Sequence, residues 1–261
     1  MKESSPTKFK KSSIENLNLT VSSQDGSSIS LPMIDTLLFN DELFPNFSKI
    51  TFKFIKRALD FLLSLCVLIM ISPILFITGL IIKLTSPGPI LFTQTRVGYK
   101  GRKFKFLKFR SMRVDSDNSI HKDYMEKLIR GETDKINNGS ENDPQFKIKD
   151  DPRITSIGKL IRKTSIDELP QLWNVLVGDL SLVGPRPPIP YEVKVYDNWH
   201  YRRVLDVKPG VTGLWQVSGR NKTTFNDMVR LDIQYLENWS LLLDFKILFK
   251  TVRAVFHAEG N

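Results

Sequence analysis

The sequence predicts a mixed α/β, mainly helical chain: a re-entrant membrane helix, then a compact cytosolic domain with amphipathic interfacial helices. Three observations predict it. Residues 61–82 are 22 consecutive residues without a charge, mostly Leu and Ile, above the ~18 that mark a membrane candidate. Basic residues flank that run on both sides. The rest of the 261 residues carries short helical patterns separated by Gly- and Pro-rich loops, with enough chain to bury a sizeable core.

Composition narrows the class. Hydrophobic residues make up 41% of the chain, too few for a polytopic membrane protein. The formal net charge is +10 and the pI about 9.6, which implies an anionic partner: nucleic acid, anionic lipid or a phosphorylated substrate. The single Cys66 excludes an intramolecular disulfide framework and a multi-cysteine metal site. His121, His200 and His257 are too scattered for a zinc constellation and read as incidental surface or helix residues.

Residues 1–30 are rich in Ser, Asn, Lys and Thr and read as a disordered tail. Residues 33–39 suit a docking helix or a solvated linker equally. The apolar run starts too late to be a signal peptide. The segment 51–86 is read as a helix hairpin. Lys53, Lys56 and Arg57 precede the apolar run and Lys83 follows it, so both flanks qualify as cytoplasmic by the positive-inside rule. Ser72-Pro73 lies near its middle, where proline removes a backbone hydrogen bond. The first arm, residues 61–72, spans about 18 Å of helix, short of a core of about 30 Å. A kinked spanning helix remains the alternative.

From residue 51 to 113 there are twelve Lys and Arg against one acid, Asp60. Phe104, Phe106 and Phe109 interleave with Lys103, Lys105, Lys108 and Arg110. A nucleic-acid groove can look like this, but beside a membrane run phosphate headgroups and phosphorylated lipids are the better match. Residues 115–150 are polar, with a helical patch at 121–129, and read as an excursion or lid. Asp150-Asp151 before Pro152 reads as a turn rather than a metal pair.

Next come two adjacent carboxylates, Asp167 and Glu168, five residues after Arg162 and two before Pro170. Pro170 is tolerated in a first helical turn, which places a helix start near Asp167 and both acids at its positive end. Ser165-x-x-Glu168 also has the spacing of a capping box. The stretch closes on a rigid turn, Gly184-Pro185-Arg186-Pro187. Residues 191–204 read as an amphipathic helix, and 208–221 have the glycines of a ligand-facing loop. Thr223 or Thr224 is expected to cap a helix reaching Glu237, and Ser240 a last helix. On that last helix Lys246, Lys250, Arg253 and His257 form one polar stripe against Phe245, Phe249, Val252 and Phe256. The pattern suits an interfacial helix with snorkelling lysines, or packing against the core.

Eight segments appear in order: Lys56-Arg57, Ser72-Pro73, Lys108-Phe-Arg-Ser-Met112, Asp151-Pro-Arg-Ile-Thr155, Thr164-Ser-Ile-Asp-Glu-Leu-Pro-Gln171, Ser181-Leu-Val-Gly-Pro-Arg-Pro187, Lys208-Pro-Gly-Val-Thr-Gly213 and Gln216-Val-Ser-Gly-Arg220. Together they resemble the monotopic phosphoglycosyl transferases, bacterial sugar transferases that start glycan assembly on a polyprenyl phosphate. The resemblance runs from about residue 51 to the end and covers the catalytic unit; residues 115–150 look longer than in the smallest members. It implies transfer of a sugar 1-phosphate from a UDP-sugar to undecaprenyl phosphate with release of UMP, for capsule, exopolysaccharide or O-antigen type glycans. It implies Mg2+, and a monotopic location on the cytoplasmic face of the bacterial inner membrane.

Carried over residue by residue, the resemblance makes Asp167 the nucleophile and magnesium ligand, with Glu168 assisting. Arg162, Pro185, Arg186 and Pro187 would hold phosphates or the nucleotide. Lys108, Arg220 and Asp232 are further substrate-binding candidates. Lys56, Arg57, Ser72 and Pro73 belong to the membrane element. Membrane lipids are expected partners and nucleic acid is not; a homodimer stays open. Glucose, galactose and N-acetylated sugars all fit. The rival from another class is a non-catalytic basic module on the membrane surface, binding anionic lipid or nucleic acid. It accounts for residues 51–113 but leaves Asp167-Glu168 without a task. A second rival, a glycosyltransferase acting at the sugar carbon, would release UDP.

Overall fold

The computed structural model describes residues 47–114, 119–140, 144–146, 151–219 and 222–256. Two compact units divide the chain at residue 54. Of the first, only 47–54 are described, as helix. The expected tail and the 33–39 patch lie outside the described residues, as do Asp150, Arg220 and His257.

The apolar run forms one long helix, α1 (Phe47–Thr85), which passes through Pro73 without a gap in its helical backbone. Only 17% of its most apolar window is buried in the protein, and it is long and apolar enough to cross a membrane. A core helix of a soluble domain would be mostly covered. Proline at 73 cannot donate to the carbonyl four residues back, that of Ile69. The Ser72 hydroxyl donates to that same oxygen at 2.8 Å, so the Ser-Pro pair repairs in place the bond it removes.

Lys56 and Arg57 were expected at the membrane flank, but the structure turns both onto protein. Lys56 Nζ lies 2.5 Å from Asp244 Oδ2. Arg57 donates to Val175 O at 2.6 Å and Leu176 O at 2.7 Å, two carbonyls in the last turn of a helix. One helical turn on, Asp60 accepts from the Leu182 backbone at 3.1 Å. At the other end of the apolar stretch, Ile82 packs with Phe109 and Ile161. Both ends of residues 56–82 therefore dock on the same unit.

Strands β1 (Leu91–Val97) and β2 (Lys103–Phe109) form an antiparallel hairpin, with Leu91 opposite Phe109 and Val97 opposite Lys103. The alternating Lys and Phe of β2 follow the period of a strand. Phe104, Phe106 and Lys108 share one face, and Lys103 and Lys105 on the other are exposed. The basic stretch is thus split: part of it faces solvent, while Lys108, Arg96 and Arg110 turn inward.

Helix α2 (Ser119–Ile129) packs on the domain through one side. Its Ile129 is buried with Val97, Tyr196, Val204, Phe225 and Val229 in the main core. The polar sequence around it concealed a single apolar face. Helix α3 (Ser156–Lys163) starts at Thr155, whose hydroxyl accepts from Gly158 N. Asp151 is a turn residue, as expected, and holds Arg153 through two short bonds of 2.8 and 2.7 Å.

Helix α4 (Gln171–Val177) leads to β3 (Ser181–Val183), which pairs in parallel with β4 (Gly210–Thr212). Gly184 and Gly210 permit this approach. A Cβ on Gly184 would meet Lys208 O at 2.4 Å, and one on Gly210 would meet Gly184 N at 2.1 Å.

The single amphipathic helix expected over 191–204 is three pieces: α5 (Pro190–Val193), a 3₁₀ turn (Asn198–Tyr201) and α6 (Arg202–Leu205). Tyr196 and His200 turn inward between them and stack edge to face at 5.6 Å. His200, expected to be incidental, is fully buried, and its Nδ1 accepts from Asp197 N at 3.0 Å.

A short helix, α7 (Leu214–Ser218), precedes α8 (Phe225–Glu237), which Thr224 caps as expected. Ser240 caps α9 (Leu241–Phe256) by accepting from Leu243 N at 3.1 Å. One edge of α9 packs against the core, and the opposite edge is exposed. Asp244, Ile247 and Ala254 are buried, while Leu242, Phe245, Phe249 and Val252 are exposed in a continuous apolar stripe.

Candidate active site

Asp167 and Glu168 lie on a 3₁₀ turn, Ile166–Glu168, before α4 rather than in its first turn. Pro170 stands at the N-cap of α4. The expected capping box does not form. Ser165 adopts a left-handed φ of 56° and its side chain makes no cap bond. The chain reverses there from α3, with Ser165 N bonded to Arg162 O at 3.1 Å. This places the acid pair at the meeting of α3, α4 and β2.

Lys108 of β2 reaches Glu168, Nζ to Oε1, at 2.9 Å, and lies over the Phe106 ring at 5.6 Å. Burial would raise the Glu168 carboxyl, but Lys108, Arg186 and Arg96 hold it down at about 2. Asp167, only 5% exposed, is pushed up to about 6 by burial, with Glu168 adding and Lys108 and Arg162 opposing. The two neighbours are thus driven apart. Glu168 is tied to its lysine as a fixed anion, and Asp167 is the less stabilised, more basic carboxylate. Such a split assigns different roles to adjacent acids.

The Gly184-Pro-Arg-Pro turn faces this pair. Pro185 is fully buried, and Arg186 is half-buried, its guanidinium without a hydrogen-bond or ion-pair partner among the described residues. Arg162 and Arg186 both act on the dyad through their charge, as their sequence positions suggested. Asp232 does not join them: at 1% exposure it is paired with Arg203 Nη2 at 2.7 Å, behind the turn.

Sequence reasoning assigned no role to Arg96. From β1 it donates through Nη1 to Pro187 O at 2.9 Å, and its guanidinium lies 5.1 Å from the Phe106 ring centroid. Nor did it assign one to Tyr191, whose hydroxyl is 2.7 Å from His121 Nδ1. The available signal for Arg96 was strand alternation, which puts it on the inward face of β1.

Among the described residues no three His, Cys, Asp or Glu side chains gather into a metal cage. The donors fit a hard ion of the magnesium type, which takes oxygen ligands and often only one or two protein carboxylates. Asp167 would be that ligand, since Glu168 is engaged by Lys108. Bound there, a divalent cation would supply positive charge to phosphate oxygens.

The family model described as "Bacterial sugar transferase" matches residues 51–258. The galactosyl transferase CpsE of Streptococcus agalactiae serotype III is 51% identical over 66% of this chain and 36% of its own length. The UDP-galactose-lipid carrier transferase of Erwinia amylovora is 46% identical over 82% of this chain and 43% of its own. The undecaprenyl-phosphate galactose phosphotransferase of Salmonella typhimurium is 43% identical, again over 82% and 43%. The chain therefore spans less than half the length of these three relatives.

Proposed function

This chain belongs to the bacterial sugar transferase family, and on that premise we propose that it moves a sugar 1-phosphate from a UDP-sugar to undecaprenyl phosphate. The observation that carries this is the split acid pair: a basic, buried Asp167 beside a Glu168 held by Lys108 at 2.9 Å, with the charge of Arg162 acting on Asp167 and that of Arg186 on Glu168. The names of relatives acting on a UDP-sugar or on undecaprenyl phosphate support the substrates.

In this reading an Asp167 oxygen attacks the phosphorus that bears the sugar. The bond from that phosphorus to the bridging oxygen breaks, and UMP leaves with the electron pair. A phosphate oxygen of the lipid then attacks the same phosphorus, frees the carboxylate and yields a sugar diphospholipid. A carboxylate meeting a diphosphate suffers charge repulsion, which Arg186 and Arg162 offset. Lys108 holds Glu168 in place so that it can assist. A covalent intermediate lets a soluble donor and a lipid acceptor use one site in turn. Helix α1 is read as re-entrant from the cytoplasmic face of the inner membrane, which would keep the site at headgroup depth.

Incubating the protein with UDP-sugar and magnesium, without lipid, should add one sugar phosphate to the intact mass. Asp167→Asn is nearly isosteric but a poor nucleophile, and should show no adduct, with turnover lower by several orders of magnitude. Glu168→Gln should lose roughly 10²–10⁴-fold, as an assisting group does. UDP as the product, or an active Asp167→Asn enzyme, would overturn the mechanism.

A further inference from the structure

Arg96 is 5% exposed, and its one hydrogen bond among the described residues goes to a carbonyl, Pro187 O at 2.9 Å. Its Nε is buried with no partner. No carboxylate makes an ion pair with it among the described residues. A buried cation without a counter-ion is costly, and such charges are ordinarily paired. Glu192 and Glu168 favour its charge only from beyond ion-pair distance: Glu192 accepts from Ile189 N at 3.1 Å, and Glu168 is bonded to Lys108. Instead Arg96 is bound to the residue that follows Arg186, a second guanidinium without a partner among the described residues. Burial draws Arg96 down to about 10, with the charge of Arg186 adding to the effect. Two arginines from distant parts of the chain thus share one end of the Gly-Pro-Arg-Pro turn, and both offer donors that no group among the described residues takes.

We propose that Arg96 and Arg186 form a two-guanidinium clamp for a diphosphate, the linking group of the nucleotide-sugar donor. This rests on the reading of the protein as a UDP-sugar-dependent transferase. Each planar fork can give two parallel N–H bonds to phosphate oxygens. The hairpin delivers one fork through β1 and the turn delivers the other, so a bound diphosphate bridges the two elements. Arg96 would be the inner half of the clamp. Its stacking on Phe106, 5.1 Å from the ring centroid, fixes the guanidinium before the ligand arrives and lowers the ordering cost of binding.

The test uses the full chain in detergent, without added metal, titrated calorimetrically with inorganic pyrophosphate, UDP and farnesyl phosphate. Arg96→Gln and Arg96→Met should weaken pyrophosphate and UDP by about ten- to a hundredfold, the scale of lost charge-assisted bonds. Farnesyl phosphate should bind as before. Because the substitutions remove an uncompensated buried charge, the ligand-free Tm should hold or rise. Lower Tm with unchanged affinity would make Arg96 a structural tie and overturn the clamp. If neither variant folds, Arg96→Lys keeps the charge and the reach to Pro187 O but not the fork. Its affinity for pyrophosphate should still fall severalfold, and an unchanged value overturns the proposal. Loss confined to farnesyl phosphate would overturn the donor assignment. A wild-type protein that binds neither pyrophosphate nor UDP also ends it. Wild-type binding with loss in the variants, but no UMP release from any UDP-sugar, would leave the clamp standing and overturn the transferase reading.

Discussion

Arg203 carries its guanidinium from the Asp232 carboxylate to the backbone of the Gly-Pro-Arg-Pro turn. Its Nη2 lies 2.7 Å from Asp232 and donates to Arg186 O at 3.2 Å, and its guanidinium sits 6.0 Å from the Phe225 ring centroid. Both side chains are at most 3% exposed. Asp232 was expected to meet substrate; one step back, it holds the residue that holds Arg186. Removing one member of a buried pair strands the other charge, at about 3–5 kcal/mol. Asp232→Leu should therefore lower unfolding stability by about that amount, and adding Arg203→Met should recover most of it. Equilibrium unfolding of the two variants decides this. A cost under about 1 kcal/mol for the single change would mean the pair supports nothing. The contrast with Arg96 is instructive: Arg203 has its carboxylate, whereas Arg96 has none among the described residues.

At the scale of elements, periodicity and capping chemistry were legible where one local rule governed. Thr224 and Ser240 cap the helices expected of them, and the Lys-Phe alternation of β2 divides its faces as a strand does. Residues 191–204 misled because Tyr196 and His200 find better partners in the core than along one helix, so tertiary packing broke the run. The Ser165 box misled because α3 ends there, and the reversal needs a left-handed residue that a capping serine cannot be. Helix α9 could not be settled from its sequence because it has two apolar edges, and only the fold shows which is covered. Its exposed edge carries a consequence: with Phe245 51% and Phe249 73% exposed, that stripe should enter the membrane interface. A fluorophore on Cys at position 249, in a Cys66→Ser background, should shift to the blue and be quenched by lipid-borne quenchers in vesicles. An emission unchanged between buffer and vesicles would leave the stripe facing water. Since the side chain is exposed, the replacement should alter stability by no more than about 0.5 kcal/mol.

For the whole molecule, the acid pair, the basic stretch and the arginine turn were each visible in the sequence, but their convergence was not. Lys108 and Glu168 are 60 residues apart, and Arg96 and Pro187 are 91 apart, separations over which no local spacing rule operates. The same holds for the anchor. Basic flanks and Ser72-Pro73 suggested a helix that returns to its own side. The structure adds that Lys56, Arg57 and Asp60 at one end, and Ile82 at the other, contact one and the same compact unit. The residues between them carry exposed Leu, Ile, Phe and Met. On the re-entrant reading both ends of the helix lie on one side of the bilayer. Single cysteines at Lys53 and Thr85, in a Cys66→Ser background, should therefore both react with an impermeant thiol reagent from the cytoplasmic side of inverted vesicles, and neither in intact cells. Labelling of the two positions from opposite sides would end the re-entrant reading. Pro73→Leu restores the N–H that Ile69 O lacks and leaves the Ser72 hydroxyl redundant. It should then weaken the bias against spanning, and move a measurable fraction of one end to the far side.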